Sequence, residues 1–253
     1  CLVTLDTAVS EALRFSGEMV PLDYKNGAGK VAFTRRFPIG PIACISPFNF
    51  PLNLALHKIA PAIAAGCSVL LKPAPQSPLT ALGFAKLVDD SKALPDGAIN
   101  ILVADIPEGE KMVTDDRLKM LSFTGSPQIG WMLKEKAGKK KVALELGGNA
   151  PVIVDASADI QQTAKLCATG AFLYAGQICI STQRIFVHEK VFNEFKKAFI
   201  SEVSQLKTGN PRQDENTVGP IIQTQHLERI TEWVKEAREA GAELLTGGEI
   251  LSK

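Results

Sequence analysis

Short runs of consecutive apolar residues alternate along most of the chain with stretches of helical periodicity. From residue 41 onward the pattern predicts strands over 41–45, 68–72, 99–103, 119–122 and 142–146, separated by helices over 52–65, 78–91, 108–113 and 127–136. Strands that are continuously apolar, and that alternate with helices, belong to a parallel sheet covered on both faces, the doubly wound α/β class. Ligands in such sheets bind at the carboxyl ends of the strands. The pattern then restarts with strands over 151–154 and 184–188 and helices over 160–174, 191–206 and 224–240. Gly147-Gly148-Asn149 is a natural hinge, so two lobes are expected, 1–146 and 147–253. Ahead of the sheet lie a short helix over 7–16 and two strands, 20–23 and 30–37, around the turn signals Asn26-Gly27 and Gly29.

Composition narrows the partners. The 253 residues are 45% apolar, enough for a sizeable core, and 28 Lys plus Arg nearly balance 27 Asp plus Glu. Nucleic acid is therefore not an expected partner. The longest apolar run, 52–65, contains His57, Lys58 and Pro61, so no membrane span is expected either. Five widely spaced cysteines without C-x-x-C argue against a disulfide framework and a zinc site, which fits a reducing, cytoplasmic compartment. The chain opens on Cys1 and not Met, and it closes just after a turn at Gly247-Gly248. It reads as a piece of something longer.

Five places carry residues that a packed core would not demand. Gly176 and Gln177 interrupt an apolar run just before Ile178-Cys179. A cysteine attacks carbonyl carbon as thiolate and needs backbone N–H groups nearby, although from this segment alone Cys179 reads more readily as the buried start of a strand. Pro47-Phe48-Asn49-Phe50-Pro51 follows the strand that ends at Ile45 and Ser46; the prolines stiffen it around Asn49, which is either a turn former or an oxyanion donor. Lys72 closes a strand immediately before Pro73, where it can snorkel or reach a ribose or phosphate. Gly125-Ser126-Pro127 forms a well-capped helix start able to meet a phosphate, and its spacing to Gly130 without a following lysine is not a P-loop. Glu145 lies between leucines, followed by Leu146-Gly147-Gly148; desolvation there would raise its pKa toward general-base duty.

These motifs, in this order and spacing from about Thr4 to Gly248, resemble the aldehyde dehydrogenase superfamily. The resemblance implies a Rossmann-like cofactor lobe, part of a second α/β catalytic lobe, and a projecting hairpin at about 20–37 used for homo-oligomer formation. By the same resemblance Cys179 is the nucleophile, Asn49 the oxyanion donor and Glu145 the base that activates water. Ile45, Ser46, Pro47 and Phe48 would line the cofactor, with Lys72 on the adenosine ribose. Gly125 and Ser126 would lie under its phosphates, and Leu146 and Gly147 beside it. The implied reaction oxidises a small aldehyde with NAD or NADP through a thiohemiacetal and a thioester. A coenzyme A-acylating semialdehyde dehydrogenase is one alternative, against which Glu145 argues, and a catalytically silent scaffold or fragment is another.

The chain departs from the family at four points. Phe48 stands where Trp is common, Tyr174 where Asn is frequent, and Asp105 where a glycine opens the loop under the adenine. Pro75, third after Lys72, replaces a glutamate common in enzymes that prefer NAD, which points to use of NADP at least as readily. The family's later Glu-x-Phe-Gly-Pro motif, by resemblance, lies beyond Lys253.

Overall fold

The apolar runs do become strands of a parallel sheet. A computed structural model of the chain describes residues 1–251, which divide into two compact units, Cys1–Leu146 and a second that begins at Gly147. The first contains β3 (Ile42–Ile45), β4 (Val69–Lys72), β5 (Ile99–Ile101), β6 (Met120–Thr124) and β7 (Lys141–Glu145), hydrogen-bonded in the order β5-β4-β3-β6-β7. Every neighbouring pair is parallel. The chain thus winds outward from β3 through β4 to β5, then crosses back to lay β6 on the other side of β3.

Alternation along β3 explains how both faces are filled. Ile42 and Cys44 point into a core with Val69, Leu71, Ile59 and Ala81, built from α2 (Asn53–Ala64) and α3 (Pro78–Ser91). Ala43 points into a second core with Leu121, Phe123, Met112 and Leu133, built from α4 (Ile106–Thr114) and α5 (Pro127–Lys136). Helix starts follow the expected chemistry: α3 and α5 each have a serine N-cap followed by proline at the first helical position.

The amino-terminal segment differs from its sequence reading. Helix α1 is Leu2–Leu13, not 7–16, because the half-buried face formed by Thr4, Leu5 and Ala8 starts ahead of Thr7; Thr4 Oγ1 donates to Asn53 Oδ1 at 3.1 Å. The strands expected over 20–23 and 30–37 are present but short, β1 (Met19–Pro21) and β2 (Val31–Phe33), paired antiparallel with Val20 opposite Ala32.

In the second unit, β8 (Ala150–Val154) and β9 (Thr182–Val187) pair in parallel across α6 (Ile160–Phe172). Asp159 caps α6, its Oδ1 accepting from the Gln162 N–H at 3.0 Å. Helix α7 (Phe192–Ser204) packs Phe195 and Ala198 against Ala164 and Cys167 of α6. Helix α8 (Thr224–Glu239) follows. All five cysteines are free, and Cys44, Cys67 and Cys167 are buried. Among the described residues no helix is long and apolar enough to cross a membrane.

Two substitutions bracket this packing. Leu121 is fully enclosed, so Leu121→Ala is expected to lower the unfolding free energy by about 2–5 kcal/mol. Gly83 lies inside α3 with nothing within 4 Å of a Cβ built on it; Gly83→Ala is expected to raise stability by about 0.5–1 kcal/mol through helix propensity. Urea titration of each variant beside the parent measures both.

Candidate active site

Backbone register gathers the first unit's candidates on one edge of the sheet. Ile45 stands opposite Lys72 on one side and Phe123 on the other, while Thr124 pairs with Glu145. The loops after β3, β4, β6 and β7 therefore open at a common carboxyl edge, and the reversal of strand order falls between β3 and β6, where doubly wound sheets bind ligands. Ser46 is buried there; its N–H donates to the Lys72 carbonyl at 3.1 Å and its Oγ has no partner. Pro47 and Phe48 are half-buried beyond it.

Lys72 is only 6% exposed, and its ammonium makes no hydrogen bond or ion pair among the described residues. Its stem lies across Gly109 of α4, where an added Cβ would stand 3.0 Å from Cδ. Burial pushes the Lys72 pKa down, and the carboxylates of Asp105 and Glu108 pull it back up. Asp105 itself serves as N-cap of α4 with φ −83, so no glycine is needed at that position for this backbone.

The loop after β6 is held by close contact. A Cβ at Gly125 would stand 2.5 Å from Cζ of Phe123, and one at Gly130 would fall on the Leu146 side chain. Ser126 caps α5 without a side-chain hydrogen bond, leaving the first-turn N–H groups to other partners. At the end of β7 the structure corrects the sequence reading of Glu145: burial alternates along the strand, and Glu145 falls on the exposed side instead of among the leucines. Desolvation is therefore not what sets it apart within this unit.

The residue near Glu145 that sequence reasoning passed over is Lys58. It is 4% exposed inside α2, and its Nζ donates to Thr124 Oγ1 at 2.5 Å. Burial pushes its pKa down to about 8, against the pull of Cys44 and Glu145. Burial pushes the enclosed Cys44 thiol up to about 12, against the opposing pull of Lys58. A lysine on the inward face of Ala55, Leu56 and Ile59 was the available signal. Asn49, half-buried in the turn ahead of α2, has Oδ1 engaged by the Phe50 N–H at 3.1 Å, which makes Nδ2 the donor end of the amide.

Cys179 belongs to the second unit and does not begin a strand. It is exposed at the second position of a turn in which the Ser181 N–H donates to the Ile178 carbonyl at 3.1 Å. Ser181 is buried, its Oγ donating to the carbonyl of Ala171 at 3.0 Å and of Gly170 at 3.4 Å. Helix α6 stops at Phe172, two residues short of its expected end, because Tyr174 (φ 57), Ala175 (φ 56) and Gly176 (φ 69) all adopt left-handed backbone. Across the turn, a Cβ at Gly148 would collide with the Cys179 carbonyl.

Residues 1–253 match the aldehyde dehydrogenase family over their whole length. The chain belongs to that family. It is 42% identical over 248 residues to 3-sulfolactaldehyde dehydrogenase of Priestia megaterium, covering 97% of this chain and 52% of that protein. It is 39% identical over 236 residues to lactaldehyde dehydrogenase of Methanocaldococcus jannaschii, covering 92% and 50%. Among solved structures, aldehyde dehydrogenase 21 from Physcomitrella patens, in complex with the reaction product succinate, superposes with a TM-score of 0.93 at 44% identity over 98% of this chain and 52% of its own. Glyceraldehyde-3-phosphate dehydrogenase from Methanocaldococcus jannaschii, complexed with NADP, superposes with a TM-score of 0.89 at 38% identity over 98% and 54%. The chain spans about half the length of the curated relatives it matches.

Of the residues that resemblance to aldehyde dehydrogenases singled out, Ile45, Ser46, Lys72, Gly125, Ser126 and Glu145 meet on the sheet edge of the first unit. Pro47, Phe48 and Asn49 continue from β3, and Leu146 ends that unit; Gly147 and Cys179 lie in the second.

The buried lysine of this aldehyde dehydrogenase chain gives stability a defined pH dependence. In the fold Lys58 loses its proton near pH 8, against the ordinary 10.5. Between these values the unfolded chain binds more protons, so the contribution of this group to stability rises with pH. Cys44 acts in the opposite sense only above the ordinary thiol value of 9.0. From pH 8 to 9 the unfolding free energy, relative to Lys58→Met, is expected to climb by about 1 kcal/mol. Urea titrations at the two pH values test this, and a flat or falling difference would contradict it.

Proposed function

We propose that the intact protein oxidises a short polar aldehyde to the carboxylic acid, using NADP or NAD, through a covalent thioester on Cys179. The observation that carries this reading is the setting of that thiol. It is exposed on a braced turn, whereas Cys44, Cys67 and Cys167 are buried. Residues 1–146 act as the dinucleotide-binding lobe and 147–253 as part of the catalytic lobe.

The sheet edge fits a dinucleotide. An unpartnered buried Ser46 Oγ, a buried Lys72 ammonium without an acceptor and the uncapped start of α5 are hydrogen-bonding capacity suited to ribose and phosphate oxygens. Ile45, Ser46, Pro47, Phe48 and Lys72 would hold the adenosine half, Gly125 and Ser126 the phosphates, and Leu146 with Gly147 the neighbouring wall. The bound cofactor supplies the hydride acceptor.

The protein's own groups do the rest. The Cys179 thiolate adds to the aldehyde carbon, and the Asn49 Nδ2 donor with the Cys179 N–H stabilises the oxyanion that forms. One such donor is worth about 100- to 1,000-fold in rate. Once the thioester has formed, Glu145 takes a proton from the water that hydrolyses it. Lys58, beside Glu145 and with its pKa near 8, is suited to hold that proton or release it.

The named relatives act on sulfolactaldehyde and lactaldehyde, and two structural neighbours are described with succinate and as a dehydrogenase of glyceraldehyde 3-phosphate. Their common character supports a short aldehyde carrying a hydroxyl or an anionic group. Exposed Met19, Val31 and Phe33 on the β1–β2 hairpin support assembly as a homo-oligomer, and the five free cysteines fit a reducing, cytoplasmic compartment.

In the intact protein Cys179→Ala is expected to abolish aldehyde oxidation while Cys167→Ala retains it. Glu145→Gln should give a burst of reduced cofactor near one equivalent per site, followed by a slow steady state. Activity in Cys179→Ala would end the covalent mechanism, and loss of the burst would move Glu145 to an earlier step.

Pro75 offers neither a ribose hydrogen bond nor a charge against a 2′-phosphate, while Lys72 can pair with one. NADP is therefore expected to match or exceed NAD in kcat/KM. A preference for NAD of about a hundredfold or more, roughly 2.7 kcal/mol, would assign control of the ribose site to another residue, for which Asp105, the carboxylate that acts most strongly on Lys72, is the first candidate.

A further inference from the structure

We propose that Gln177 is a positioning residue that aims the Cys179 turn through its side-chain carboxamide, an inference that rests on Cys179 being the nucleophile. The backbone between α6 and the turn holds Tyr174 at φ 57, ψ 35 and Ala175 at φ 56, ψ 33, followed by Gly176 at φ 69. Left-handed backbone costs a residue with a Cβ about 1–2 kcal/mol, so two in succession persist only where neighbours hold them. Gln177 supplies that hold from both ends of one amide. Its Nε2 donates to the Tyr174 carbonyl at 3.2 Å, alongside its own backbone N–H to the same oxygen, and its Oε1 accepts from the Ile222 N–H at 3.0 Å.

The second bond reaches 45 residues along the chain to the segment entering α8. One side chain therefore ties the strained segment, the cysteine turn and a distant backbone together. Ser181 anchors the other end of the turn on the α6 carbonyls, but it is buried and its loss would be confounded with folding. Gln177 is half-buried and contributes little to the core. What its two bonds control is direction. A nucleophile misplaced by about 1 Å forfeits on the order of a hundredfold in rate.

Gln177 needs one donor and one acceptor, and glutamate can imitate that pair only when protonated. Its hydroxyl then donates to the Tyr174 carbonyl while its carbonyl accepts from Ile222; ionised, it sets a carboxylate against the Tyr174 oxygen. Aldehyde oxidation by the intact protein is followed between about pH 5 and 9 in Gln177→Glu, Gln177→Met and Cys179→Ala. For Gln177→Glu near pH 8, kcat is expected to fall about tenfold or more, ~1.4 kcal/mol, with KM little changed. Its ratio to the parent at the same pH should then recover as pH drops toward the glutamate pKa, ordinarily about 4.3 and raised here by the facing oxygen.

Gln177→Met should stay low at every pH, while alkylation of Cys179 by iodoacetamide, read by mass spectrometry, keeps roughly the parent rate because a small diffusing reagent needs no aimed thiol. Parent-like kcat in Gln177→Met, a Gln177→Glu ratio flat with pH, or alkylation lost in parallel with turnover each overturns the positioning role and leaves the nucleophile assignment standing. Activity in Cys179→Ala overturns that assignment instead. Should Gln177→Met fail to fold, the pH ratio of Gln177→Glu decides alone.

Discussion

The pairing of β3 with β4 on one side and β6 on the other is the constraint on which the first unit depends. Parallel ladder bonds hold Ile45 level with Lys72 and Phe123, and the next pair in the sheet holds Thr124 level with Glu145. Side chains alternate along a strand, so a slip of one residue would exchange Cys44 and Ala43 between the two cores and carry Thr124 away from Lys58. Burial on both faces penalises that slip, since each face presents apolar atoms to a helix layer. The register is thus enforced by the cores and delivers, as a by-product, a line of polar groups along one edge.

Buried cations along that edge mark it as different from the remaining surface. Lys58 and Lys72 are almost wholly enclosed, each with its pKa pushed down first by burial and drawn back by nearby acidic groups. Enclosing an ammonium is costly, and such groups cluster where chemistry is done. The pair Arg117 and Asp115 makes the contrast. Arg117 bonds hold the Asp115 carboxyl far below the usual range, yet the Arg117 guanidinium stands in solvent, where screening leaves little energy in the pair.

The second unit achieves order by other means. Little apolar area is buried around Ile178–Ser181, so the shape of the turn rests on hydrogen bonds from Gln177 and Ser181 and on backbone closeness at Gly148. Gly170 repeats the device, since a Cβ there would approach Thr182 Oγ1 to 2.7 Å. Hydrogen bonds are directional where hydrophobic contact is not. A turn that presents an exposed side chain in one direction gains more from the former.

The alternation of apolar runs and helices by itself determined the parallel sheet, the boundaries of α3 and α5 and the helix starts at Ser77-Pro78 and Ser126-Pro127, because those features depend on local periodicity and capping. The motifs around Asn49, Glu145 and Cys179 were legible for the same reason: each sits beside a Pro or Gly that interrupts an apolar run. Only the tertiary structure decided which strands neighbour one another, that Glu145 faces outward from its strand, and that Lys58 is enclosed beside Thr124 and Glu145. Burial and electrostatics sum over residues distant in sequence. It also decided that α6 ends in a left-handed run at Tyr174 and that Gln177 reaches Ile222. A positive φ outside glycine and a bond spanning 45 residues leave no local signature, since both are imposed by partners that only folding brings within reach.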